Sequence, residues 1–139
     1  MKFLKSILLY IWQLPQNLLG LILLGFYWLI GGKPKHYLTI DNVKYYWTLK
    51  MSSGISLGKY VILKYHYNRK ANAVKHEFGH SLQSKRWGWL YLIVIGIPSL
   101  CGNIIDRVFH KNWDDKKATI WYYNQPVEKQ ADELGGVVR

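Results

Sequence analysis

The chain has 139 residues, half of them apolar, with a formal charge of +11 and a single cysteine. This length fits one domain, and one cysteine excludes both an internal disulfide and a thiolate cluster for metal. No aromatic RNA-binding signature or Cys/His finger accompanies the positive charge, so no nucleic-acid partner is expected.

Met1-Lys2-Phe3-Leu4-Lys5 leads into a stretch that is apolar from Ile7 to Ile30. It is too long for a signal-peptide core, Gln13, Pro15, Gln16 and Asn17 interrupt it, and no small-residue cleavage site follows. Residues 1–32 therefore read as a membrane-associated segment. Pro15 would separate a basic amphipathic helix from a more apolar one over Leu18–Ile30. Taken as one helix, Ile7–Ile30 is 24 residues, enough to cross a hydrocarbon layer of about 30 Å. Taken as two, it is an interfacial or re-entrant pair.

Residues 33–139 read as the domain proper. Aromatic and β-branched runs predict strands at Tyr37–Ile40, Val43–Leu49 and Lys59–Tyr67, with Ile55–Leu57 a link or short strand. Turn signals at Asp41-Asn42, Ser52-Ser53-Gly54 and Gly58 divide them. A helix is predicted from an N-cap at Asn72 to Trp87, ended by Gly88. Gly79 inside it costs about 1 kcal/mol relative to alanine, a cost that suits close approach of another backbone. Residues 87–105 form an apolar insertion broken by Gly96, Pro98 and Gly102. A polar loop around His110–Lys117 follows, and a last helix is predicted after Pro126.

His76-Glu77-Phe78-Gly79-His80 carries the chemistry. Residues four apart share one helical face, so the imidazoles of His76 and His80 can converge on one ion. Glu77 points beside that ion, where it can take a proton from a water the ion activates. A second motif, Glu128-Lys129-Gln130-Ala131-Asp132, supplies what the first lacks. Glu128 is the candidate third ligand, and Asp132, one turn on, can accept the free ring N–H of His76. Only three glutamates occur in the chain, and two lie where zinc hydrolysis needs them. A three-histidine site is excluded, because Gln83 and Arg86 stand where that motif requires glycine and histidine.

These two blocks, the second continuing as Glu133-Leu134-Gly135, resemble the gluzincin metallopeptidases. The ExxAD form is most similar to the membrane-embedded group of the bacterial heat-shock membrane protease and the CAAX prenyl protease, although this chain is much shorter. The resemblance implies one Zn2+ held by His76, His80 and Glu128, Glu77 as general base, Asp132 behind the ligands, and peptide-bond hydrolysis. It also implies an α+β, zincin-like core: a short antiparallel sheet, the HExxH helix and a C-terminal ExxxD helix, joined to membrane-associated apolar helices. The sheet edge would hold extended substrate, and Gly58–Leu63 suits that place. Tyr122, Tyr123 and His110 are all candidates to stabilise the oxyanion, and spacing does not choose among them.

One zinc constrains the apolar insertion. If residues 87–105 crossed a membrane once, His80 and Glu128 would be parted. The reading adopted is a hairpin broken at Gly96-Ile97-Pro98 or a buried segment; a site at membrane depth is the remaining option. Between Lys33 and Arg86 eleven basic residues face two acids, Asp41 and Glu77. That balance suits an anionic lipid surface and places the site on the cytoplasmic side of a plasma or inner membrane. The expected function is a membrane-associated zinc endopeptidase acting on membrane-proximal peptides or proteins. The alternatives are an inactive zinc-containing membrane module and a membrane-perturbing basic protein.

Overall fold

Asp41 and Asn42 both take positive φ, 48° and 64°, the pair of left-handed residues that a tight two-residue hairpin needs. They join β1 (Lys35–Ile40) to β2 (Val43–Thr48) in the computed structural model, which describes residues 2–139. Gly58, at φ 64°, turns β3 (Gly54–Leu57) into β4 (Tyr60–Lys64), there as the one positive-φ residue of the turn. The four strands lie in the order β1-β2-β4-β3. β2 and β4 run parallel, while both hairpins are antiparallel.

The sheet is therefore mixed rather than antiparallel throughout, and Gly58–Leu63 is not its edge. Val61, Ile62 and Leu63 are each fully buried. Three consecutive buried residues need both faces covered and suit a central strand. The edge beside the motif helix is β3. The last strand also stops at Lys64, and Tyr67–Arg69 forms a 3-10 turn instead.

Val43, Tyr45, Val61 and Leu63 form one core face, against which Val74 and Phe78 of α3 (Ala71–Trp87) pack. Lys70, not Asn72, is the N-cap of α3; Asn72 instead donates to the Val138 carbonyl at 3.1 Å. Gly88 ends the helix at φ 53°, pressed against the Trp12 ring.

The first two helices, α1 (Lys2–Trp12) and α2 (Leu14–Leu29), meet at 83°. Gln13, Gln16 and Asn17 look like interruptions in the sequence, yet each is at most 1% exposed. Gln13 and Gln16 donate to Ser84 Oγ at 2.7 and 3.0 Å, and Gln16 also donates to the Gly88 carbonyl. Asn17 accepts from the Lys59 backbone N–H at 2.8 Å. Buried amides are costly unless partnered. Here they tie α1 and α2 to the end of α3 and to the β3–β4 turn.

After Gly88–Leu90 the chain is helical without a break from Leu92 to Phe109: a π turn over Leu92–Gly96 and then α4 (Ile97–Phe109). The expected hairpin at Gly96-Ile97-Pro98 does not form, and the segment is not buried, since only 11% of this 18-residue run is. The wide π turn just before Pro98 leaves room for its ring and absorbs its missing N–H. By length and composition this run can cross a membrane, and α1 with α2 qualifies only as a bent pair. α5 (Asp115–Tyr123), capped by Asp114, packs back against α4, and α6 (Pro126–Gly135) lies against α3. That return brings Glu128 to His80 although the long helix lies between them in sequence. The result is an α+β fold of six α-helices and one mixed sheet among the described residues.

Candidate metal centre

The site exists because α3 and α6 approach unusually closely. A Cβ built on Gly79 would overlap the Ala131 carbonyl, and one built on Gly135 would overlap that of Lys75. Two glycines facing the opposite backbone let the two helices nearly touch, which is the role anticipated for Gly79. Glu128 is thereby brought, fully buried, to His76 and His80, each 6% exposed.

His76 Nε2 and His80 Nε2 lie 3.1 and 3.2 Å from the same atom, Glu128 Oε2. Their other ring nitrogens are engaged: His76 Nδ1 with Asp132 Oδ1, and His80 Nδ1 with Gln83 Oε1, both at 2.7 Å. A carboxylate only accepts, so His76 Nδ1 carries its proton. Gln83 spends its NH2 on the Val127 carbonyl and Gln130 Oε1, leaving Oε1 to accept from His80 Nδ1–H. With a proton on each Nδ1, both Nε2 atoms are turned to the same carboxylate oxygen. Two imidazole nitrogens and one carboxylate oxygen facing one another are a donor set that a cation can share. The separations also match the edges of a tetrahedron with ligand bonds near 2.05 Å, about 3.3 Å. His76, His80 and Glu128 are thus a buried group that can hold a metal ion.

The charges respond to one another. Burial alone would lower the His80 pKa, but its hydrogen bond to Glu128 and the nearby carboxylates raise it. Burial pushes Glu128 up, yet hydrogen bonds from His76 and His80 outweigh that and hold it well below the usual carboxylate range. Glu77 is raised: burial dominates, and the two histidines offset it only in part. A carboxylate held above its ordinary value is suited to accept a proton and later release it.

Glu77 is not one of the converging groups. It lines, with His76 and His80, a cavity of about 380 Å³ between the β3 edge with Ser53 before it and the apolar run (Leu92 and Gly96 of the π turn, Ser99, Leu100 and Asn103 of α4), with Leu19 of α2 at one side. Tyr91 anchors the start of the apolar run to this wall by donating to the Ser56 carbonyl at 2.9 Å. A Cβ on Gly54 would overlap Glu77 Oε1, so glycine at the head of β3 makes space for that carboxylate.

Of the three oxyanion candidates, Tyr122 lines this cavity. Tyr123 lies behind the centre, its ring edge-on to His76 at 5.1 Å. His110 caps α4, stacks on Trp113 at 3.7 Å and pairs with Asp106. Gln83, Asn103, Gly54 and Arg139 belong to the site's surroundings and carried no motif signal. Gln83 alone had a readable cue, since it lies three residues after His80 on the same helix. No protein-family model, curated protein or solved structure matches the chain.

Proposed function

We propose that this protein is a membrane-associated zinc endopeptidase of the gluzincin kind. The observation that supports it best is the convergence of two imidazole nitrogens and one carboxylate at the wall of a cavity that Glu77 also lines without joining them. A purely structural metal takes four protein ligands and needs no neighbouring base; two imidazoles and one carboxylate leave a position open. Bound there, zinc supplies Lewis acidity, polarising a peptide carbonyl and making water acidic enough to be deprotonated near neutral pH.

The chain's own residues do the rest. Glu77 accepts the proton of the attacking water at its carboxylate and hands it to the departing amine nitrogen. The Tyr122 hydroxyl, at the same cavity wall, donates to the carbonyl oxygen as negative charge builds on it. The β3 edge offers backbone groups to an extended peptide. Asp132 and Gln83 keep both imidazoles in the tautomer that binds metal.

Membrane association is supported by the apolar run Leu92–Phe109 and by exposed Phe3, Ile22, Trp28, Ile93, Ile104 and Phe109. The charge of +11 suits anionic lipid at a cytoplasmic face, and substrates reaching the cavity from that surface are membrane-proximal peptides or proteins. Zinc stoichiometry in wild type, His80→Ala and Glu128→Ala, with peptide hydrolysis by wild type and Glu77→Gln, tests the reading. Wild type holds one zinc and cleaves; both ligand variants lose zinc; Glu77→Gln keeps zinc and does not cleave. A zinc-bound wild type that cleaves no peptide in a broad library points to the inactive module instead.

A further inference from the structure

Asp132 is itself held. Its Oδ1 accepts from His76 Nδ1 at 2.7 Å and from an Arg139 terminal nitrogen at 3.1 Å, while its Oδ2 accepts from Arg139 Nε. The guanidinium carbon lies 3.2 Å from the centre of the Tyr123 ring, and that ring meets His76 edge-on. Arg139 therefore grips two of the groups that bear on the His76 imidazole.

It reaches them by a built turn. Gly136 takes φ 71° after α6, and the Val137 N–H donates to the Asp132 carbonyl at 2.9 Å. The returning residues are tied to α3, by Asn72 donating to the Val138 carbonyl and Lys75 to that of Gly136. His80 is served in a parallel way: Gln83 orients it, and Val127 and Gln130 orient Gln83.

We propose that Arg139 is a positioning residue of the metal centre, fixing the Asp132 carboxylate and the Tyr123 ring so that His76 Nε2 is aimed before metal arrives. The inference rests on the metal-centre reading above. A carboxylate held by one imidazole can swing about its Cβ–Cγ bond. A planar fork engaging both oxygens removes that freedom, and an ionised partner keeps the imidazole a strong donor to metal. Lysine cannot substitute fully, because its ammonium is a point charge with neither the fork nor the ring stack.

The test measures Zn2+ affinity of the full chain by competition with a chromophoric chelator. The proteins are wild type, R139M, R139K, D132N and D132N/R139M, each also melted after chelator stripping. R139M should weaken zinc binding by about 10-fold and R139K by less, within the range for groups behind metal ligands. In the D132N background the same R139M change should cost under about 2-fold, because the two residues act through one contact. Should R139M fail to fold, the cycle is read with R139K. Affinity of R139M equal to wild type, or a loss undiminished in the D132N background, overturns this inference alone. A wild type that takes up no zinc overturns it together with the metal centre.

Discussion

Gly79→Ala is the sharpest probe of how the two metal-bearing helices are held together. In an isolated helix the change is stabilising by about 1 kcal/mol. Here the new Cβ would overlap the Ala131 carbonyl oxygen and lie 2.6 Å from its carbon and 2.9 Å from its Cα. Ordinary carbon contacts begin near 3.5 Å, so α6 must move off α3 by about 1 Å. Overpacking of that kind costs about 1–3 kcal/mol, which leaves a net loss between zero and about 2 kcal/mol in the metal-stripped protein. The metal site is far less forgiving. Ala131 stands between Glu128 and Asp132 on α6, so both carboxylates move with it, and ligand distances tolerate only about 0.2 Å. Zinc affinity should fall by about 100-fold or more while the metal-stripped melting temperature falls by no more than about 7 °C. Chelator competition and thermal unfolding of the stripped protein read the two quantities separately. A Gly79→Ala protein that melts higher and binds zinc like wild type would refute the close-approach argument, because helix propensity alone would then account for the change.

Gly54→Ala should spare the metal and remove the base: its Cβ would overlap Glu77 Oε1 and sit 2.8 Å from Leu63 Cδ2. Zinc content should stay at wild type while hydrolysis falls by about 100-fold, the lower end of what a general base supplies; unimpaired cleavage would count against the placement of Glu77. Glu128→Gln should abolish tight zinc binding and Glu133→Gln should not, because Glu128 is fully buried among the imidazoles and Glu133 is exposed; metal analysis in the reverse order would reassign the third ligand. The chelator-stripped protein should be most stable between about pH 4.3 and 6.5. His80, raised, contributes fully below the upper figure and loses this as pH rises through its folded value, whereas Glu128, held low, contributes above the lower figure and loses this as pH falls through its own. Glu77, raised by burial, loses its contribution as pH rises from about 4.3, which draws the optimum toward the lower end of this window. Saturating zinc should move the optimum upward, since binding needs neutral imidazoles and releases a proton; a stripped protein whose melting temperature climbs steadily to pH 8 would contradict these signs.

What the sequence determined by itself is what depends on neighbours along the chain. Four-residue spacing on a helix puts His76 and His80 on one face wherever that helix lies, and the same holds for Glu128 and Asp132. Gly88 ends α3, Pro126 opens α6, and Asp41-Asn42 closes a hairpin, because each is set by the local φ that residue tolerates. Alternatives that turn on distant partners were settled only by the tertiary structure. β2 and β4 run parallel because β3, which lies between them in sequence, pairs on the far side of β4 in space, which no strand propensity encodes. Gln13, Gln16 and Asn17 read as breaks in an apolar stretch, and their partners Ser84, Gly88 and Lys59 lie more than forty residues away. Tyr122 and Tyr123 are adjacent and chemically identical, yet the turn of α5 sends one to the cavity and the other behind His76. Arg139 matters only because the left-handed Gly136 folds the chain back over Asp132. Local periodicity names the residues that can do chemistry; packing between elements decides which of them meet.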